Sequence, residues 1–457
     1  MVMLLIFIVV SLVSLVMFIR DKRKPKTIAF FHPYCNAGGG GERVLWAAIR
    51  SMQKTNPEYK YYVYSGDTDA TKEQILLKAR QRFGIELDPN NIEFIPLSLR
   101  WLVEAERYPR FTMILQAIMG GVLALEALFH LVPEIFIDSM GYPLSQPAAR
   151  LVAGCKVGAY VHYPTISTDM LSVVETRQET FNNAPIIAQS PILSILKLFY
   201  YKSFSYMYWM AGKCANVVMV NGTWTQRHIT SIWSRRDVSI VYPPCDVESF
   251  LAIESSAENL LEDSKIVRLL SVGQIRPEKN HRLQIEVLHD VKEKLKETGY
   301  GVKLCIAGGC RNEEDRQRVE ELKKYAKELK VEQELEWQIN VPYEDLVGEL
   351  SRALISIHTM HNEHFGISVV EAMAASTIIL SNDSGGPQMD IVKDYQGHSV
   401  GYLSITREEY TESVMRIVEE GRAKRDKIRE YSRKSLERFS EASFEAAWKK
   451  EVSKLLK

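Results

Sequence analysis

Nineteen residues without a charge, Met1 to Ile19, open the chain and give way at once to Arg20, Lys22, Arg23, Lys24 and Lys26. At the helical rise such a run covers roughly 28 Å, close to the thickness of bilayer hydrocarbon. The pattern predicts a transmembrane helix over residues 1–19. A cleaved signal peptide would carry its basic residues before the apolar run and small residues at a cut site. Basic residues that follow the run instead keep the rest of the chain in the cytosol by the positive-inside rule.

Beyond the cluster, short apolar runs alternate with helix-period stretches. Thr27–Phe31, Lys60–Tyr64, Ile92–Pro96, Ile135–Asp138, Val157–Val161 and Val217–Val220 read as buried strands, and strands separated by helices predict a doubly wound parallel sheet. This first Rossmann-like domain spans 26–250. Two stretches interrupt its regularity. Phe111 to Val132 is apolar apart from Gln116, Glu126 and His130, and Ile186 to Met210 is rich in Leu, Ile, Tyr, Phe and Trp with Lys197 and Lys202 interleaved. They read as membrane-associated helices near 111–132 and 186–210, lysines and tyrosines reaching the headgroups, with buried core helices as the alternative.

Pro243-Pro244 and the acidic stretch Glu254 to Lys265 mark a domain boundary. The alternation then resumes over 265–430, with strands at Arg268–Ile275, Val302–Ala307, Leu335–Gln338, Leu354–His358 and Thr377–Asn382 and helices at Glu313–Lys330 and Tyr343–Ala353. This predicts a second doubly wound domain. A charged, amphipathic helical segment, 431–457, closes the chain.

Composition narrows the function little but excludes some classes. The 457 residues carry a net charge of zero, without the basic excess of a nucleic-acid binder. Six scattered cysteines, with no Cys-x-x-Cys pair, give no disulfide framework and fit a reducing compartment. The sequons at Asn221 and Asn382 are inert if the body is cytosolic.

Chemistry concentrates at four places. Gly38-Gly39-Gly40-Gly41 lies between the first strand and a helix opening at Glu42, a geometry in which backbone can approach a phosphate. It lacks the spacing of a dinucleotide site or a P-loop. His162 ends a strand on the carboxyl side, where open α/β sheets place ligands. Arg276 and Lys279 stand in a strand-to-helix turn and could neutralise a diphosphate. Glu363 and Glu371 are eight residues apart around Phe365-Gly366, the first in a loop and the second about two turns along a helix beginning near Gly366. Ser384-Gly385-Gly386-Pro387 is a further turn where backbone could meet a ligand. His358, His361 and His364 fall at three-residue spacing, not the four of a helical zinc pair, and no fourth ligand accompanies them, so no metal is expected.

The Glu–seven–Glu pattern followed by Ala-Met-Ala, together with the Gly-Gly-x-Glu-Arg-Val loop, resembles the retaining, two-domain (GT-B) glycosyltransferases that use nucleoside-diphosphate sugars. More narrowly, His32 to Arg43, Gln274 to Lys279 and Asn362 to Gly366 resemble the α-1,2-mannosyltransferases of the dolichol pathway. The resemblance implies an α/β GT-B fold, two Rossmann-like domains facing a cleft, with an acceptor-binding first domain, a nucleotide-sugar-binding second one and a terminal helix that returns to the first. It implies GDP-mannose as donor, no metal or other cofactor, and a dolichyl-diphosphate-linked trimannosyl-chitobiose that gains two mannoses on the cytosolic face of the endoplasmic reticulum. A membrane complex with other mannosyltransferases of the pathway goes with it.

By the same resemblance Glu363 touches the donor sugar and Glu371 the ribose, Gly40, Gly41, Phe365 and Gly366 belong to the donor site, and His162 contacts the reacting sugar. The family's turn carries an arginine five residues before its lysine; here Gln274 holds that place, so Lys279 carries over and Arg276 stands as a substitute. Rival readings are a transferase of the same fold acting on another lipid, such as phosphatidylinositol, and a non-catalytic sugar-nucleotide-binding subunit.

Overall fold

The computed structural model describes residues 2–177 and 189–457, with side chains from Val10 onward except Leu12. The chain divides into two units, Met1–Pro243 with Phe444–Lys457, and Pro244–Ser443. The sequence boundaries stood at 250 and 431.

The first unit is built on seven parallel strands: β1 Arg23–Phe31, β2 Lys60–Ser65, β3 Ile92–Pro96, β4 Val132–Asp138, β5 Lys156–Val161, β6 Val217–Val220 and β7 Val238–Ile240, in the order β3-β2-β1-β4-β5-β6-β7. Every strand is parallel to its neighbours, and the inner strands β4, β5 and β6 are buried on both faces, which is why they read as continuous apolar runs. The order reverses direction between β1 and β4. One face is covered by helices that include Gly40–Thr55, which buries Val44, Leu45, Ala48 and Ile49. The same face receives the last helix of the chain, Glu441–Leu456, whose Trp448 stacks on Phe30 at 6.3 Å and meets Tyr160 at 5.8 Å. Gly158 lies where a Cβ would come 3.0 Å from Leu455.

The opposite face carries the two unusual stretches. Thr112–His130 is a helix whose Ala117, Leu123, Ala124 and Ala127 are buried, and the Glu126 carboxylate accepts the amides of Ser98 and Leu99 at 2.7 and 3.0 Å. It is long and apolar enough to cross a bilayer by length and composition. The second stretch is a helix at Pro191–Gly212; residues 186–188 of the expected segment lie outside the described residues. The two helices meet where the Ile114 amide donates to the Tyr200 hydroxyl at 3.2 Å.

An apolar helix, Val2–Asp21, precedes β1. Strand β1 begins at Arg23, four residues earlier than the apolar pattern indicated, because Arg23 and Lys24 pair with Val132 and Pro133 of β4 before a register shift. The basic cluster is therefore partly structural: Arg20 donates to the carbonyls of Leu151 at 2.6 Å and Val152 at 3.3 Å, and Arg23 to that of Gly154 at 2.7 Å.

The second unit has six parallel strands: β8 Ile266–Val272, β9 Gly301–Gly308, β10 Leu335–Ile339, β11 Ile355–His358, β12 Ile378–Asn382 and β13 Tyr402–Ser404, in the order β10-β9-β8-β11-β12-β13. It repeats the first plan, with the reversal between β8 and β11. In such sheets ligands bind at the carboxyl ends of the strands flanking the reversal. The strands of three residues, β7 and β13, sit at sheet edges, too short and too little buried to show in the hydrophobic pattern.

Candidate active site

In the first unit the reversal lies between the ends of β1 and β4, and three polar side chains meet there. His32, directly after β1, is fully buried and its Nδ1 lies 2.9 Å from Ser139 Oγ; Ser139 follows β4. His162, directly after β5, places Nε2 3.1 Å from the Ser139 carbonyl. A carbonyl only accepts, so that nitrogen carries the proton. The Asn221 amide in turn donates to the His162 carbonyl at 2.8 Å. A Cβ on Gly41 would sit 3.8 Å from His162 Nε2, in ordinary contact, so the start of this helix lies beside the ring. The helix begins at Gly40, and the Glu42 carboxylate accepts the Gly39 amide at 3.0 Å. A carboxylate of the chain itself thus occupies amides an anionic ligand could meet. Gly40, Gly41 and His162 are brought together here; His32, Ser139 and the buried Asp138 were not singled out in the sequence.

In the second unit the corresponding reversal joins the ends of β8 and β11. The loop after β8 is locked against the loop after β9: the amide of Gly273 donates to the Ala307 carbonyl at 3.0 Å and that of Ile275 to Gly309 at 3.1 Å. A Cβ on Gly308 would lie 1.8 Å from the Gly273 carbonyl, so only glycine allows this approach. Pro277–Lys279 forms one 3-10 turn, and the stem of Lys279 lies over Gly273. The Thr359 hydroxyl, just past β11, donates to the Lys279 carbonyl at 2.7 Å and accepts from Gln284 at 2.8 Å, tying the turn to β11.

This framework sets Lys279 against Glu363. The Lys279 ammonium is paired with Glu363 Oε2, and the same oxygen lies 3.2 Å from Nε2 of His358, the last residue of β11. Burial alone would raise the Glu363 carboxyl; the Lys279 charge, followed by the nearby His358, overrules it and holds the group well below the usual carboxylate range. His358 is itself lowered, chiefly by burial. Behind it, His281 is 3% exposed and driven down to about 4 by burial and then by Lys279.

Arg276 is not part of this pairing; its nearest carboxylate is that of Glu278 on the same turn, at 3.5 Å. Phe365 turns its ring into the core, edge-on to Phe439 at 5.3 Å, which leaves its main chain as the part that can meet a ligand. Gly366, at φ 109°, starts the helix Ile367–Ala374. Glu371 is the fifth residue of that helix, a turn and a third from its start rather than two turns. The Ser384–Pro387 turn approaches the protein's own backbone: Gly386 N donates to the Glu363 carbonyl at 2.6 Å, and a Cβ on Gly385 would lie 2.3 Å from that oxygen. Its glycines press Glu363 into place. No motif points to His358 as the partner of Glu363; its place at the end of β11 is the signal that could have.

The buried histidines make stability depend on pH. His32 is lowered to about 3, by burial and then by His162, and His281 to about 4, each from an ordinary 6.5. Between pH 6.5 and about 4 the unfolded chain takes up protons that these native rings refuse, so stability present above 6.5 is lost as pH falls, by up to about 1.4 kcal/mol per pH unit for each ring. Asp138 acts in the opposite sense. Burial raises it from 3.8 to about 6 against the Gly141 and Met140 amides, so its contribution is full below about 4 and lost as pH rises through 6. Two against one, thermal melts from pH 7 to pH 5 should fall, and His281→Leu should flatten the dependence; a melting temperature unchanged or rising over that range would contradict the buried, neutral rings.

Comparison with known proteins follows the two units. Residues 25–233 match the family model described as ALG11 mannosyltransferase N-terminus, and residues 253–435 match glycosyl transferases group 1. The chain is 74% identical over 435 residues to the GDP-Man:Man(3)GlcNAc(2)-PP-Dol alpha-1,2-mannosyltransferase of Caenorhabditis elegans, covering 95% of this chain and 92% of the relative. The protein of the same name in Homo sapiens is 47% identical over 440 residues, covering 96% and 89%. Among solved structures, Anabaena HepE in complex with UDP and glucose superposes with a TM-score of 0.62 at 14% identity, covering 93% of this chain and 99% of that one. Sucrose-phosphate synthase from Thermosynechococcus elongatus gives 0.67 at 14% identity, covering 94% and 99%. These two share the fold.

Proposed function

Because the chain belongs to the GDP-Man:Man(3)GlcNAc(2)-PP-Dol alpha-1,2-mannosyltransferase family, and is a mannosyltransferase of GT-B fold, we propose that it moves mannose from GDP-mannose to dolichyl-diphosphate-linked Man3GlcNAc2 and adds the fourth and fifth mannoses, in α-1,2 linkage, on the cytosolic face of the endoplasmic reticulum. The observation that carries this reading is the Lys279–Glu363 pair at the reversal of the second sheet, a cation and an ionised carboxylate held in one place by β8 and β11.

Transfer proceeds by front-face displacement with retention. The bond from the anomeric carbon to the GDP oxygen breaks as the acceptor hydroxyl oxygen bonds that carbon from the same side, and the hydroxyl proton passes to a donor phosphate oxygen. Negative charge grows on the diphosphate, where Lys279 neutralises it with Arg276 as helper. Positive charge grows on the sugar, where Glu363 stabilises it. Preorganised charges of this kind supply the largest share of such rate enhancements. Glu371 holds the ribose, Gly40 and Gly41 admit the donor, and His162 orients the sugar. The cations do the work a metal ion would do, so transfer resists EDTA.

The membrane reading rests on the first unit. Ile192 and Phe199 are 72% exposed and Phe111 is 63% exposed, large apolar side chains on the stretches singled out in the sequence. On the helix Val2–Asp21, Val10, Val13, Met17 and Phe18 are exposed as well. A helix that anchors the body beside a lipid-linked acceptor raises that acceptor's effective concentration. Because Ile19 is buried and Arg20 and Arg23 bond to the body, the informative deletion removes Val2 to Phe18 and no more. It should raise the KM for the lipid acceptor about tenfold or more while GDP-mannose affinity changes less than about twofold. Equal loss of both would count against the anchor.

The deciding assay offers labelled nucleotide sugars to the detergent-solubilised chain with a synthetic lipid-diphosphate trimannosyl-chitobiose, with and without EDTA. Use of GDP-mannose alone supports the reading. Transfer to another lipid only, or sugar-nucleotide binding without transfer from any donor, overturns it.

A further inference from the structure

Glu363 needs a fixed aim in two situations. Without donor, its Oε2 receives the Lys279 ammonium. When a nucleoside diphosphate sugar binds, the diphosphate competes for that ammonium, and a carboxylate that loses its cation loses the contact that orients it. Among the described residues, the other group near Oε2 is His358, whose Nε2 lies 3.2 Å away, buried and not aligned in a hydrogen bond.

We propose that His358 is a positioning residue for mannosyl transfer: its Nε2, buried and unpartnered beside the Lys279–Glu363 pair, takes up Oε2 of Glu363 when Lys279 turns to the diphosphate, so that the carboxylate keeps its direction. The proposal rests on the reading of Glu363 as the sugar-side carboxylate. An ionised carboxylate has no proton to give, so the ring nitrogen facing it must be the donor. Burial keeps the ring neutral, which makes it a hydrogen-bond donor that adds no positive charge beside the developing cation of the sugar.

The backbone is built to hold the ring still. His358 is 6% exposed and terminates β11, its carbonyl accepts the buried Tyr410 hydroxyl at 2.9 Å, and its neighbour Thr359 is bonded to the Lys279 turn. One strand end therefore controls both charged partners: Thr359 fixes the turn that carries Lys279, and His358 fixes the carboxylate.

The test uses the full chain in detergent, GDP-mannose and the lipid-linked acceptor, with His358→Leu and His358→Gln beside wild type. Leucine fills space without a donor; glutamine places an amide N–H near the position of Nε2. His358→Leu should lower kcat by about 10²-fold, the loss expected when a reacting group is displaced by about 1 Å, with the KM for GDP-mannose within about threefold. His358→Gln should restore kcat to within about fivefold of wild type. Wild-type kcat in the leucine variant, or equal impairment of both variants, would overturn the positioning role and leave packing as the residue's contribution. If the leucine variant fails to fold, an impaired but folded glutamine variant is enough to reject the proposal. Failure of wild type to transfer mannose would instead reject the reading of the site itself.

Discussion

Glu363→Ala should lower mannosyl transfer by roughly 10²–10³-fold while leaving GDP bound at least as tightly as in wild type. The two effects have opposite signs for one reason. The carboxylate neutralises Lys279, and the ion pair must open before the ammonium can meet a diphosphate. Removing the carboxylate frees the lysine for GDP and at the same time deprives the developing positive charge of its partner. Isothermal titration with GDP and initial rates with labelled GDP-mannose measure the two separately. Weaker GDP binding together with near-normal transfer would mean that Glu363 serves the lysine rather than the sugar. Glutamine at the same position should behave like alanine in rate, because the charge and not the shape is what the reaction uses.

Glu258→Ala should destabilise the second unit by about 3–5 kcal/mol, the cost of leaving a buried charge without its partner. Arg425 donates to both carboxylate oxygens of Glu258, at 2.8 and 2.6 Å, and Arg429 to one of them at 2.6 Å, with all three side chains under a tenth exposed. Alanine leaves Arg425 with backbone carbonyls as its only acceptors among the described residues, while Arg429 keeps Asp426 at 2.9 Å. Arg429 also donates to the Ser376 carbonyl at 2.9 Å, just beyond the helix that carries Glu371, so the cluster braces that helix. The melting temperature should drop on the order of 10 °C. A drop of less than about 2 °C would show that water or a rearranged acid had taken the place of Glu258. Transfer measured well below the melting temperature should change little, which separates this effect from that of Glu363.

The central strands of both sheets were legible because parallel strands buried on two faces leave unbroken apolar runs such as Ile135–Ile137 and Val217–Val220. The start of β1 was not, since Arg23, Lys24 and Pro25 are poor strand residues, and the first two pair only because β4 offers them an open neighbour. At the candidate site, Lys279 and Glu363 could each be singled out from local pattern, but nothing in the sequence joins residues 84 positions apart into an ion pair. His358 carried even less: viewed along the chain it belongs with His361 and His364, and only the strand end gives it Glu363. Gly385 and Gly386 were legible as a close approach of backbone, yet what they approach is the Glu363 strip.

Trp448 and Leu455 fill the face of the first sheet, yet a ribosome reaches them only after it has made the whole second unit. The roughly two hundred residues from Pro244 to Ser443 are translated before them, which at about 5–20 residues per second takes roughly 10–40 s. Throughout that interval the nascent first unit exposes Phe30 and Tyr160 where the tryptophan will lie, a surface that invites chaperones or aggregation. A frameshift within the final helix would therefore cripple the unit made first.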